Sequence, residues 1–404
     1  MSVSTSRSPV LSAGPSRHAR ATVLAAAALT IMAAAIISPS LPGMRTEFAA
    51  TPGADLLVRL AVTVTSLAIA VTAPISGRIA DRFGYAPLLV GGLLLYAVSG
   101  TAGYFLDELP VLLVSRVVLG IAVGAVMTAV STALTHWYDG ARRARWLGWQ
   151  QASASLGGVV FLPLAGLLAA IDWRAPFWIY AVAAVLALAA TTALRDQRRD
   201  HQPAPSSVRR PMHSRTRPVL GIYAFALAAT LAFYMAPTQL PFLLAGDGVS
   251  PAAIGTVIAG STLTSAAGAL AFPALRSRLS SASLTGFSIA MLGVGWIVVG
   301  TAAFLPQVMA GLLIGGFGVG VVVPHLSSRL GDLAAPEHRG RILAGLVTAI
   351  FLGQFLSPLL LAPLVSALGT AGAFAATGIT LLAGSAVTLV HGRKKNTTQK
   401  GSER

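Results

Sequence analysis

Arg116 stands seven residues into the apolar run from 110 to 134, and it is the only formal charge well inside such a run. A guanidinium stays protonated in hydrocarbon, turns toward the protein interior and needs a partner there. A carboxylate partner would make it part of a proton or anion relay, whereas backbone carbonyls would make it a structural tie; both readings stay open. The first apolar run, 22–41, has no acid; the nearest to it are Glu47 and Asp55, and Asp55 precedes Arg59 by four residues, a favourable helical pair. A second group is the loop Gly77-Arg78-Ile79-Ala80-Asp81-Arg82-Phe83-Gly84. A carboxylate there can accept from helix amino termini and pair with nearby Arg, latching two bundles at one end. The third group is neutral: Ser38, Thr128, Gln150, Gln151, Tyr234, Gln239 and Gln354 interrupt apolar runs and can hydrogen-bond a solute. His325 is titratable but falls beside Arg329 at a run's end, where a boundary role fits better. No cluster supplies a nucleophile with its base or a set of metal ligands, so an enzyme is not expected. The Gly-Lys-Ser or Gly-Lys-Thr of an ATP-binding loop is absent as well.

The elements that must position these residues follow from composition. Of 404 residues, 55% are hydrophobic and 10% charged, with a mean hydropathy of +0.74. Soluble domains carry about 25% charged residues, so this surface belongs in a bilayer. Crossing about 30 Å of hydrocarbon takes about 20 apolar residues as helix. Twelve such runs occur, at 22–41, 55–78, 86–105, 110–134, 146–170, 174–194, 219–243, 252–274, 282–304, 306–328, 341–364 and 367–390. The expected fold is an all-α integral membrane protein of twelve transmembrane helices in two pseudo-repeated six-helix bundles, residues 22–194 and 219–390. A tail over 1–21, a Pro- and Arg-rich linker over 195–218 and a basic tail over 391–404 complete the chain.

The formal charge of +16 is explained by topology. With both termini cytoplasmic, 25 of the 29 Lys and Arg fall on the inner side, three (Arg45, Arg59, Arg174) fall outside, and Arg116 is in a span. That bias is the positive-inside pattern, which points to anionic lipid rather than nucleic acid as the partner of the basic surface. Trp137, Trp146, Trp149, Trp173 and Trp178 sit at span edges, as interfacial anchors do. The Ala-rich first run is a span rather than a cleaved leader, since eleven more follow. Cysteine is absent, so there are no disulfides or thiolate metal sites, and no metal is expected.

A shift of 196 residues lays the second half on the first. Gly120 and Gly124 fall on Gly316 and Gly320, Arg82 on Arg278, and Arg143 and Arg145 on Arg339 and Arg341. With small slips, Pro163-Leu164 matches Pro358-Leu359 and Leu41-Pro42 matches Leu240-Pro241. Repeats of this kind place a binding site at the midplane between two bundles.

These motifs carry a resemblance. Gly77, Asp81, Arg82 and Gly84 match the G-x-x-x-D-R-x-G signature of major facilitator superfamily transporters, in the expected loop of a twelve-span chain. The resemblance implies that this loop governs switching between outward-facing and inward-facing states; the basic residues usual after it are replaced by Tyr85 and Ala86. Leu112, Arg116, Leu119 and Gly120 resemble a second signature, of drug and proton antiporters, which links this Arg to proton transfer. The carboxylate often found on span one is missing, and Leu119 replaces the usual Gln. Gly148, Gly157, Gly158, Pro163 and Gly166 resemble part of the antiporter signature on span five, whose glycines and proline imply a packing hinge that accompanies export. The resemblance thus implies a secondary active transporter in the cell membrane, working as a monomer without a bound cofactor and exporting a small organic molecule in exchange for protons. Arg116, Gly120, Gln150, Gln151, Tyr234, Gln239 and Gln354 are the expected coupling and cavity residues. The alternative is an importer or facilitator of a small nutrient; the remote one is a polytopic sensor that transports nothing.

Overall fold

Hydrocarbon offers no partner to a peptide group, so each apolar run closes its own hydrogen bonds as a helix. The computed structural model describes residues 15–195, 216–333 and 339–402. Residues 196–215 of the expected linker, the start of the first tail and the last two residues of the basic tail lie outside the described residues. In chain order the helices are α1 (Arg17–Ala35), α2 (Leu41–Glu47), α3 (Ala54–Phe83), α4 (Tyr85–Ala102), α5 (Leu109–Trp137), α6 (Gly140–Ala169) and α7 (Val182–Ala193). They continue as α8 (Thr216–Phe233), α9 (Met235–Gly246), α10 (Pro251–Arg278), α11 (Ser281–Gly300), α12 (Leu305–Leu333) and α13 (Arg339–Ser402). Short 3-10 turns at Ser38–Ser40 and Ala175–Ala181 join α1 to α2 and lead into α7.

Among the described residues, eleven stretches are long and apolar enough to cross a membrane, rather than the twelve expected. The difference lies at the end of the chain, where Ile342–Val390 runs as one 49-residue stretch. At 1.5 Å per residue it is more than twice a bilayer's thickness. Its helix breaks at Gly369, whose φ of 70° and ψ of 172° are non-helical, three residues into the last expected run. Positive φ is also why Gly84 sits between α3 and α4: its φ of 86° ends one helix and lets Tyr85 start the next at once.

The first and seventh runs are each broken at matching places, α1 from α2 near Pro39 and Pro42, and α8 from α9 at Tyr234. α2 and α9 meet each other. The core falls into one cluster formed mainly by residues 19–194 and two formed mainly by residues from 219 onward.

The repeat is visible in the contacts themselves. A Cβ on Gly120 would run into the Thr65 carbonyl and Ala68, and a Cβ on Gly316 would run into the Ser261 carbonyl and Thr264. Residues 65 and 68 map onto 261 and 264 by the same shift of 196 that carries Gly120 to Gly316. The α3–α5 and α10–α12 pairs are therefore one backbone-to-backbone packing used twice, the small-residue mode by which helices associate in lipid. Gly120→Val and Gly316→Val should each destabilise the protein by about 1 to 3 kcal/mol. Gly77→Val, whose side chain would meet open space, should not. Thermal unfolding of the three purified variants measures the contrast.

Candidate functional site

A cavity of about 250 Å³ lies between the first six runs and the last six. Thr30 and Ala34 of α1, Met127 of α5 and Gln151, Ser155 and Leu162 of α6 line one side. Thr230, Phe233, Tyr234, Pro237, Ile258, Ser261, Thr262, Ser265, Phe351 and Gln354 line the other. None of the lining residues carries a charge. Its polar atoms are neutral hydroxyls and amides, and its aromatic rings come from the second half.

Among the described residues, side-chain hydrogen bonds cross between the halves. Ser66 Oγ on α3 donates to Gln354 Oε1 on α13 at 2.7 Å, beside the cavity. Arg59 Nε on α3 donates to Gln239 Oε1 on α9 at 3.0 Å, toward the end of the molecule opposite the arginine-rich loops. There Arg59 also reaches the Asp55 carbonyl at 2.6 Å and lies 4.4 Å above the Phe242 ring. Arg45 lies 5.1 Å from the same ring, so Phe242 is held by two cations. Gln239 is 1% exposed and Phe242 is buried. This cluster ties the two halves together at that end, where a seal on the cavity would lie.

The two halves also touch along α6 and α10. A Cβ on Gly166 would strike the Pro251 carbonyl, one on Gly255 the Leu162 carbonyl, and one on Gly158 the Thr262 side chain. Gly157 packs instead on the Ala28 carbonyl of α1, and Pro163 lies inside α6. Gly148, grouped with these by sequence, has nothing within 4 Å of an added Cβ and makes no close approach.

Arg116 lies away from the cavity. It is fully buried, and its Nη2 donates to the carbonyls of Ser99 at 2.7 Å and Gly100 at 2.9 Å, while Nε approaches Ser115 Oγ at 3.3 Å. Ser99 and Gly100 lie in the last turn of α4, where carbonyls lack partners within the helix and the dipole is negative. The charge is thus met by a helix end in place of a carboxylate. Phe177 and Tyr180 cover it at 4.9 and 5.2 Å, and Gly100 and Gly103 leave room for those rings. Tyr180 donates onward to the Ala33 carbonyl of α1 at 2.7 Å.

Of the residues expected in the cavity, the structure brings Gln151, Tyr234 and Gln354 together. Gln239 is in the seal; Gln150 instead bonds Ser131 on α5 at 3.1 Å; Gly120 packs against α3. Ser38 is buried outside the lining, Thr128 donates to the Gly124 carbonyl, and His325 pairs with Thr285 at 2.9 Å. Thr30, Ser155, Thr230, Ser261, Thr262, Phe233 and Phe351 were not singled out by sequence. Their hydroxyls mostly bond carbonyls of their own helix, as at Thr30, Thr230 and Ser261, which is how any Ser or Thr in a helix behaves. The helical spacing of Ile258, Ser261, Thr262 and Ser265 was the available signal. In the loop signature, Arg82 lies 5.3 Å over Phe83 and Gly84 supplies the positive φ.

The Major Facilitator Superfamily profile matches residues 23–247 and 222–404. This chain belongs to that superfamily. It is a multi-pass membrane transporter, not an enzyme, and it resembles the superfamily's drug-efflux members. The class C tetracycline resistance protein of Escherichia coli is 27% identical over 393 residues, covering 93% of this chain and 96% of that protein. The 3-(3-hydroxy-phenyl)propionate transporter of Escherichia coli K12 is 26% identical, covering 79% and 81%. Among solved structures, the D-xylose-proton symporter superposes with a TM-score of 0.73 at 14% identity, over 92% of this chain and 96% of that one. A POT family transporter bound to 5-aminolevulinic acid gives 0.74 at 12% identity, over 93% and 96%. At those identities the likeness shows the fold.

Two outcomes follow for this superfamily member. Gln239→Ala should loosen the seal, lengthening the distance between spin labels on Ala49→Cys and Gly246→Cys; the chain has no cysteine to remove first. Arg116→Met and Arg116→Lys should each cost about 1 to 3 kcal/mol of stability, because orphaned carbonyls and a misplaced ammonium are both poorly matched. Unfolding in detergent gives that figure, and spin-label distances at the seal should not move.

Proposed function

We propose that this chain is a secondary active exporter of a small uncharged or weakly charged organic molecule, driven by proton exchange and working by alternating access. The observation that carries the reading is the neutral cavity between the two halves, which are tied together at the end away from the basic loops. A charged solute would enter it without a counter-charge, at a cost that hydrocarbon sites make steep. Similarity to the class C tetracycline resistance protein over nearly the whole chain supports export. The proposed topology has twelve crossings, the break at Gly369 dividing the last two, in two six-helix halves with both termini cytoplasmic. The arginine-rich end then faces the cytoplasm, and the Arg59–Gln239 seal faces outward. The protein acts as a monomer, and the segment from Gly77 to Gly84, expected as a loop but formed by the last turns of α3 and its capping Gly84, governs switching.

A second reading is favoured by one observation. Similarity to the 3-(3-hydroxy-phenyl)propionate transporter is nearly as strong, which fits movement of a small aromatic acid and leaves direction to experiment.

Accumulation of a panel of antibiotics and aromatic acids in efflux-deficient cells decides between them. Export predicts lower accumulation in expressing cells, abolished by a protonophore. Higher accumulation of any compound in expressing cells would establish the second reading. In either case Gln151→Glu, which charges the cavity, should reduce transport of an uncharged substrate about tenfold or more.

A further inference from the structure

A second pocket, of about 180 Å³, opens at the arginine-rich end of the second half. It shares no residue with the central cavity. Arg276 comes from the last turn of α10, Ser281 and Leu284 from the first turn of α11, and His325, Ser328 and Arg329 from the last turns of α12. His325 is 3% exposed, and its Nε2 lies 2.9 Å from the Thr285 hydroxyl, so it forms a fixed wall. Arg276 and Arg329 supply the rim.

The charges at this rim do not balance. Arg276 Nη2 pairs with Asp332 at 3.3 Å, in a contact that is half exposed and correspondingly weak. Among the described residues Arg329 has no ion pair. Asp332 lines the pocket as well, so it holds two guanidinium groups against one carboxylate, an excess of one positive charge, together with two serine hydroxyls. Guanidinium forks and hydroxyl donors converging on a small space suit a tetrahedral oxyanion, to which Arg donates in bidentate fashion. The location adds to this. α11 packs on α12 and α13, so the pocket lies on the flank of the second half, and Leu270, two turns before Arg276 on α10, is exposed as a lipid-facing residue would be.

We propose that this pocket binds a phosphate group, carried by the headgroup of an anionic phospholipid or free in solution. The assignment is independent of the exported substrate and of the direction of transport. A lipid source fits the position, since basic pockets between helices at this face take anionic headgroups.

The test uses the full-length purified protein. After delipidation from vesicles of phosphatidylcholine and phosphatidylglycerol, retained lipid is measured by mass spectrometry, and inorganic phosphate is titrated against thermal stability in neutral detergent. Wild type should retain phosphatidylglycerol in preference to phosphatidylcholine, Arg329→Gln should lower that preference about fivefold, and Asp332→Asn should raise it. The gain in Asp332→Asn cannot come from misfolding, and Arg142→Gln, on the basic surface outside the pocket, should lower the preference far less than Arg329→Gln does. If phosphatidylglycerol is not retained but inorganic phosphate stabilises wild type and not Arg329→Gln, the group is bound from solution. No preference for either probe, or a preference indifferent to both pocket substitutions, overturns the proposal.

Discussion

A guanidinium in hydrocarbon and a helix end in hydrocarbon are each unfavourable alone, and at Arg116 each satisfies the other. The cation takes the Ser99 and Gly100 carbonyls that α4 leaves open, and the helix supplies a negative end where no acid is within reach. The rings of Phe177 and Tyr180 close over the pair, and Tyr180 carries the connection to α1. Three helices and a 3-10 turn are thereby fixed around one charge. The same requirement, that polar groups find partners inside the chain, bears on the rest of the first half, where Arg116 Nη1 and the hydroxyls of Ser38, Ser40, Thr63 and Tyr138 are the buried side-chain atoms left without a hydrogen bond among the described residues.

The requirement also explains why glycines carry so much of the packing. Without water to drive helices together, attraction depends on close approach, and glycine permits the closest. The α3–α5 and α10–α12 pairs build each half, and the α6–α10 pair joins the halves. What is left between them is a space lined by neutral hydroxyls, amides and rings. Among the described residues no charged side chain lines that space.

Much of this architecture was legible in the sequence because its causes are one-dimensional. Span length, alternation of basic loops and a fixed repeat offset are all read along the chain, and the loop signature at Gly77 to Gly84 names the superfamily. The offset of 196 even predicts which residues face Gly316 once those facing Gly120 are known. The site was less legible. Gln239 and Gln151 look alike as amides in apolar runs, yet one is in the seal and the other in the cavity, because only the rotation of each helix about its axis tells them apart. Arg116 left two readings open for a different reason: a charged residue suggests a charged partner, and the helix terminus that it meets leaves no mark of that kind in the sequence. The count of crossings depended on one backbone torsion, at Gly369.

The contact of Gly166 and Gly255 lies close to the sealed end. From Gly255 it is only a few residues back to the start of α10 at Pro251, but 23 residues on to its end at Arg278. At 1.5 Å per residue the arms are about 6 Å and about 35 Å. If the halves turn about this crossing, α10 is an unequal lever. A tilt of about 10° would move the seal by about 1 Å, roughly the give of one hydrogen bond, while swinging the arginine-rich end by about 6 Å. The mechanical disproportion lets a small displacement at the Arg59–Gln239 contact be coupled to a large opening on the far side.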